Sequence, residues 1–208
     1  MAILTAREMT LEQVDRLLPL EERLEPLSFS SLLALEPLTD REQQEMIQIR
    51  NDYRAYLRPG KVLEGQIQFL VLAPLLRLAG FYSPPIYLSL EQGIAPIEII
   101  DEATQITGRM DLLASRRNQT TQIWILVVET KNSEASPRAG LPQLLTHASQ
   151  SLTQQPSVWG LATNGEQFRF VYLQAGEPST YQLLPELNLM DDDRALQLLQ
   201  ILKAVRMV

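Results

Sequence analysis

The chain has 208 residues, a formal net charge of −7, no cysteine and a single histidine, His147. These counts exclude disulfides, thiolate metal sites and a metal centre built from histidines, so a bound metal ion would need oxygen ligands. The negative charge also argues against unselective nucleic-acid binding, which needs a concentrated basic surface. The length favours one domain with extensions over two full domains.

No segment has the character of a membrane span or a secretion signal. The N-terminus lacks an apolar stretch long enough for a signal peptide, and the longest apolar run, Phe69 to Leu76, is too short to cross a bilayer. We therefore expect a soluble, cytoplasmic protein with no membrane partner.

Residues 1–58 are predicted to form an N-terminal helical extension. Three prolines divide its first part into short helical pieces: Pro19, Pro26 and Pro37. Thr39 or Asp40 then caps a longer helix that runs to about Leu57. Three arginines recur on this helix at four-residue spacing: Arg50, Arg54 and Arg58. This stripe is either a solvated face or a phosphate contact.

A second helix is predicted from Lys61 to Ala79, because its leucines, isoleucine and valines recur at helical spacing. Pro74 should kink it. Glu64 on this helix either lies at a partly exposed polar edge or points toward an active site.

Five strand-forming segments predict a mixed β-sheet: 96–101, 108–115, 122–130, 157–163 and 166–174. The third has an uninterrupted apolar run, which is typical of a strand covered on both faces in the middle of a sheet. We expect hairpin turns at residues 116–119 and at Asn164-Gly165. A helix over 141–152 should cross between strands, and another should close the chain from Asp191. The expected fold is α/β, with a mixed sheet flanked by helices.

Charged residues stand at the end of the predicted central strand. Glu129 and Lys131 share one face there because side chains alternate along a strand. Asp111, on the hairpin partner, falls close to Glu129, and two neighbouring carboxylates repel each other unless a cation lies between them. Oxygen ligands of this kind suit Mg²⁺ or Mn²⁺. The alternative is a simple ion pair of either carboxylate with Lys131 or Arg109.

The order of these motifs resembles the PD-(D/E)xK nuclease superfamily. The residues that carry the resemblance are Glu64 in a leading helix, Gly108-Arg109-Met110-Asp111, Val127-Val128-Glu129-Thr130-Lys131, Gln143 in the next helix, and the run from Trp159 to Glu166. More narrowly, residues 40–175 are similar to the N-terminal nuclease domain of the restriction subunit of type I restriction enzymes. The resemblance implies a restriction-endonuclease-like domain over 59–208 that forms one compact unit with the extension.

The resemblance also implies roles for individual residues. Asp111, Glu129 and the backbone carbonyl of Thr130 would bind the divalent metal, and Lys131 would position or help deprotonate the attacking water. Gln143 would match the glutamine of the QxxxY motif, with Glu64 as a further site residue. This chain departs from that motif because His147 stands where the tyrosine is expected. It also lacks the G-x-x-x-x-G-K-[ST] loop of the ATP-driven motor that accompanies this domain in restriction subunits.

The function expected from the sequence is therefore Mg²⁺-dependent or Mn²⁺-dependent hydrolysis of DNA phosphodiester bonds by a nuclease without an ATP motor. One alternative is an inactive protein of nuclease fold that serves as a DNA-binding or protein-assembly module. Another is a structural subunit whose leucine-rich N-terminal helices pack on a partner protein or in a homodimer. His147 is expected to be an ordinary residue on the helix surface.

Overall fold

The computed structural model describes residues 2–99, 104–117 and 121–208. Its α-helices are α1 (Leu11–Leu17), α2 (Phe29–Leu32), α3 (Asp40–Leu57), α4 (Glu64–Ile67), α5 (Ala73–Leu78), α6 (Leu141–Ser149) and α7 (Asp192–Val205). Short 3₁₀ turns cover Ala6–Glu8, Pro137–Gly140 and Gln150–Thr153, and a π-helical turn covers Gln68–Leu72. Within the described ranges, no helix combines the length and apolar character that crossing a bilayer requires.

The strands are β1 (Ala2–Thr5), β2 (Leu20–Glu22), β3 (Ile86–Gly93), β4 (Ile97–Ile99), β5 (Thr104–Thr107), β6 (Arg109–Arg117), β7 (Gln122–Thr130), β8 (Ser157–Thr163), β9 (Gln167–Gln174), β10 (Ser179–Leu183) and β11 (Leu187–Asn188). In the described part of the chain they form a large sheet, in the order β2-β10-β9-β8-β7-β6-β3 with β11 beside β9, and a small sheet, in the order β1-β5-β4. The molecule is thus a mixed α/β structure, as the sequence predicts.

The central strand β7 organises the large sheet. It pairs antiparallel with β6 and parallel with β8, and α6 forms the crossover that parallel neighbours require. Leu126 and Val128 pack into the apolar cluster under α3, α5 and α7, whereas Val127 packs into the cluster under α1 and α6. The continuous apolar run of β7 is explained by this burial on both faces, so the prediction for residues 122–130 is confirmed.

The capping of α3 confirms the predicted helix start. The Thr39 hydroxyl accepts a hydrogen bond from the Glu42 backbone N–H at 3.3 Å, and the Glu42 carboxylate accepts one from the Thr39 N–H at 2.8 Å. This reciprocal pair satisfies backbone donors that the first helical turn leaves free. On the arginine stripe, Arg50 pairs with Asp192 at the start of α7, so this arginine joins two helices rather than forming a solvated face.

The second predicted helix is continuous from Glu64 to Leu78 and begins three residues later than the predicted Lys61. Its middle turn, Gln68–Leu72, is a π-helix just before Pro74. Proline has no backbone N–H and its ring clashes with the preceding turn, and a wider turn is one way for a helix to accommodate it.

Two parts of the predicted secondary structure are wrong in detail. The first 38 residues are not helical throughout, because β1 pairs with β5 and β2 pairs with β10. The strand predicted at 96–101 is β4 in the small sheet, and the third antiparallel strand of the large sheet is the unpredicted β3. Residues 100–103 and 118–120, which include part of the predicted 116–119 turn, lie outside the described residues.

Candidate active site

Two carboxylates, Asp111 and Glu129, lie on the adjacent strands β6 and β7, on the face of the sheet that α6 covers. Leu112 of β6 pairs with Val128 of β7, so Asp111 and Glu129 stand one position further along their antiparallel strands and share a face. The Asp111 carboxylate accepts a hydrogen bond of 2.6 Å from the Thr130 backbone N–H. The strand register therefore brings together two residues that are 18 positions apart in the sequence.

Glu129 is fully buried, and its two oxygens have different surroundings. Oε1 lies 2.6 Å from Nδ1 of His147, which is also fully buried. Oε2 has no hydrogen-bond partner in the described part of the chain. A buried carboxylate oxygen without a partner is costly, so this atom marks a position where a ligand would be stabilising.

Lys131 and Gln143 form the second half of the site. The Lys131 amine donates a 3.1 Å hydrogen bond to Gln143 Oε1, and the Gln143 amide donates a 3.3 Å hydrogen bond to the Arg109 carbonyl. Gly140 at the start of α6 packs against both strand residues, since a Cβ there would make van der Waals contacts of 3.4 Å with the Lys131 side chain and 3.6 Å with Glu129. The residues Asp111, Glu129, Lys131 and Gln143 are therefore gathered in one region.

The region opens to solvent through a cavity of about 620 Å³. Asp111 and Gln143 line it together with Glu64, whose side chain is 31% exposed and lies 3.5 Å from the Arg7 guanidinium. Arg109, also in the lining, pairs with Glu91 at 3.2 Å. Glu64 thus lies at the rim of the cavity that Asp111 also lines.

A larger cavity of about 720 Å³ lies elsewhere, beside Trp124 and Gln150. None of the described residues that line it has an ionisable side chain. The described lining therefore offers no acid or base, and the smaller cavity is the better candidate for chemistry.

Burial sets the ionisation of the site. It is the largest cause that raises the pKa of Glu129 well above its ordinary value, and the neighbouring Asp111 carboxylate raises it further. Burial also raises the pKa of Asp111, against the Thr130 N–H and the Lys131 charge, which lower it. Burial and the Lys131 charge lower the pKa of His147 to about 4. A cation placed between the carboxylates would relieve the cost of holding both in the charged form.

The residues present fit a hard divalent cation. Asp111 and Oε2 of Glu129 would supply two oxygen ligands, and the Thr130 carbonyl is the third that the sequence resemblance implies. The described residues contain no cluster of three or more histidine, cysteine or acidic side chains able to hold a metal. Magnesium is commonly bound by one or two carboxylates, with waters and substrate phosphate completing its shell, so two carboxylates suffice.

The simple ion-pair alternative is not what the described contacts show. Arg109 pairs with Glu91, and the Lys131 amine hydrogen-bonds the Gln143 amide.

The expectation that His147 lies on the helix surface is wrong, since its side chain is fully buried against Glu129. Its four-residue spacing from Gln143 could have indicated this, because that spacing places both residues on one face of α6.

No protein-family model matches the chain, and a search of curated proteins finds no match either.

Proposed function

We propose that the chain is a metal-dependent nuclease that hydrolyses DNA phosphodiester bonds, with Asp111 and Glu129 as the ligands of Mg²⁺ or Mn²⁺. The observation that carries this proposal is a partly buried and a fully buried carboxylate, Asp111 and Glu129, on one face of the sheet within reach of the Lys131 charge, with Asp111 in the lining of an open cavity. When bound, such a cation would polarise a phosphoryl oxygen and lower the pKa of a bound water.

The side chains of this site have separate tasks in the proposal. The Thr130 N–H fixes the orientation of the Asp111 carboxylate. The Lys131 amine positions the attacking water and stabilises negative charge that develops on the phosphate oxygens. Gln143 accepts a hydrogen bond from Lys131 and is itself held by the Arg109 carbonyl, so the amine keeps one direction. Glu64, in the lining of the cavity, would contact water molecules around the bound substrate.

A second candidate is a binding or assembly module of the same fold without catalytic activity. Its protein-assembly form is favoured by the charge of the cavity rim, where Arg7 is paired with Glu64 and Arg109 with Glu91. An arginine that already pairs with a carboxylate contributes less to neutralising a phosphate. This candidate predicts that no divalent cation supports hydrolysis of any DNA.

The test is a cleavage assay with Mg²⁺ and Mn²⁺ on linear, supercoiled and single-stranded DNA. Lys131→Ala should reduce the rate by at least about 10²-fold, the lower end of the effect of a positioned proton-transfer group. Lys61→Ala is the matched control, because Lys61 is a surface lysine paired with Glu134 at 3.6 Å. It should cleave like the wild type.

If the wild type never exceeds Lys131→Ala on any substrate, the nuclease proposal is wrong. A gel-shift assay run in parallel then separates the remaining possibilities. DNA binding by both proteins without cleavage would support the DNA-binding form of the module, and the absence of both binding and cleavage would support the protein-assembly form.

A further inference from the structure

We propose that His147 is a positioning residue, whose Nδ1–H holds one oxygen of the Glu129 carboxylate so that the other oxygen is presented to a divalent cation. This inference rests on the proposed function, because it assigns a role to His147 at the same metal site. It explains why a histidine occupies the position at which the sequence resemblance expects a tyrosine.

The contact itself is short and enclosed. Nδ1 of His147 lies 2.6 Å from Glu129 Oε1, and neither side chain has any exposed surface. A hydrogen bond to an ionised carboxylate is stronger than a neutral one, and burial strengthens it further. The contact fixes the rotation of the carboxylate and leaves Oε2 without a protein partner in the described structure.

The surroundings of the imidazole favour one tautomer. A bound cation would hold Glu129 in the ionised form, which requires a hydrogen on Nδ1, and the neutral ring then carries only a lone pair on Nε2. Nε2 has no partner among the described residues, so a hydrogen there would be a buried donor without an acceptor. Gly108 packs against this end of the ring, since a Cβ on Gly108 would lie 2.5 Å from Nε2.

Two residues of α6 contact two residues at the end of β7, because the spacings along the helix and the strand are similar. Gln143 and His147 are four residues apart on a helix, a rise of about 6 Å. Glu129 and Lys131 are two residues apart on a strand, a rise of about 6.6 Å. The two spacings nearly match, so one face of α6 makes both contacts. Gln143 accepts a hydrogen bond from Lys131, and His147 lies within hydrogen-bond distance of Glu129.

The first test uses the wild-type protein, since His147 is the only histidine in the chain. A long-range ¹H–¹⁵N spectrum of histidine-labelled protein near pH 7.5 reports this single imidazole. With saturating Mg²⁺, we expect the hydrogen on Nδ1. We also expect the ring signals to broaden beyond detection once Mn²⁺ saturates the site instead. A hydrogen on Nε2 at saturating Mg²⁺, or sharp ring signals at saturating Mn²⁺, overturns the assignment.

The second test is calorimetric titration of Mg²⁺ and Mn²⁺ into two variants. His147→Leu removes the donor, and loss of such an outer-shell partner should weaken metal binding by at least about tenfold. His147→Asn keeps an amide N–H near the position of Nδ1 and should recover most of the affinity. Equal affinity in folded His147→Leu and wild type overturns the positioning role while leaving the proposed metal site intact.

The two proposals fail in different ways. Absence of metal binding by the wild type refutes the proposed function and this inference together. Metal binding that is lost in Asp111→Asn but insensitive to His147→Leu refutes only the inference. If His147→Leu does not fold, the wild-type spectra with Mn²⁺ decide the question.

Discussion

At the scale of single residues, the site contains two carboxylates whose ionised forms are destabilised by burial. Asp111 and Glu129 lie on one face of adjacent strands, and burial disfavours the ionised form of both. Replacing buried charges with neutral groups of similar shape is often neutral or stabilising. The cost of this arrangement is the physical reason to regard it as functional.

Asp111→Asn should abolish divalent-metal binding without reducing the free energy of unfolding at pH 7. The pKa of Asp111 is raised in the folded protein, so the stability linked to its protonation is full below the ordinary value of 3.8 and is lost as the pH rises through the raised pKa. An asparagine does not ionise and avoids that loss. The Asn oxygen can still accept the Thr130 N–H.

Calorimetric titration and urea unfolding at pH 4 and pH 7 check both parts of this expectation. Asp15→Asn, at an exposed position on α1, is the control and should bind metal like the wild type. Unchanged metal binding in Asp111→Asn would remove Asp111 from the site.

Gly108→Ala should destabilise the protein by about 1–3 kcal/mol, because a Cβ there would lie 2.5 Å from His147 Nε2 and 3.0 Å from Ala6 Cβ. Gly65→Ala is the matched comparison in the lining of the same cavity. It meets no atom within 4 Å and lies in a helix, so it should be neutral or stabilise by up to about 1 kcal/mol. Thermal unfolding of the two variants tests this, and equal melting temperatures would show that His147 does not fill the space beside Gly108.

At the scale of secondary-structure elements, contacts between helix ends hold α3 against α7. Glu42 closes the capping box of α3 and also pairs with Lys203 of α7. Arg50 of α3 pairs with Asp192 at the other end of α7. Both ends of α7 are thereby tied to α3, on the sheet face opposite α6.

Glu42→Gln should lower the free energy of unfolding by about 1 kcal/mol at pH 7, with the difference vanishing in acid. The hydrogen bond from Lys203 is the largest cause that lowers the pKa of Glu42. The stabilisation is therefore complete above the ordinary value of 4.5 and is lost as the pH falls through the lower folded-state pKa.

Urea unfolding between pH 2.5 and pH 7 measures this difference. Glu36→Gln, at an exposed position between α2 and α3, is the control and should show no comparable pH-dependent loss. A difference between Glu42→Gln and wild type that stays constant from pH 7 to pH 2.5 would show that the Glu42 charge is not responsible.

At the scale of the whole molecule, residues 1–58 share the core with the remainder. Strand β2 extends the large sheet beside β10, and the buried Tyr53 hydroxyl donates a 2.8 Å hydrogen bond to the Asn164 carbonyl. Met46, Ile49 and Tyr53 of α3 belong to the same apolar cluster as the strands of that sheet. These contacts are those of one folding unit.

We therefore predict that the chain unfolds in a single cooperative transition and that a 59–208 fragment does not fold alone. Removing residues 1–58 exposes apolar surface of the remaining core to water. Each Å² exposed in this way destabilises the folded fragment by about 25 cal/mol. Calorimetry of the full chain should give equal van't Hoff and calorimetric enthalpies. A well-dispersed NMR spectrum of the fragment would contradict the prediction and place a domain boundary near residue 58.

The sequence by itself determined the elements whose signals are local. The apolar run of β7, the Asn164-Gly165 turn and the cap at Thr39 are properties of neighbouring residues, and the structure confirms each of them. Strands β1, β2, β3, β5, β10 and β11 were not predicted, because a strand acquires much of its stability from partners in the sheet rather than from its own residues.

The candidate site divides in the same way. Alternation along β7 was enough to place Glu129 and Lys131 on one face, and the hairpin was enough to bring Asp111 near them. Only the tertiary structure decided that α6 lies over that face, which buries His147 against Glu129 and turns Gln143 toward Lys131. The packing of a helix across a sheet depends on the whole core. The four-residue spacing of Gln143 and His147 therefore indicates a shared helix face, but not that this face lies against Glu129.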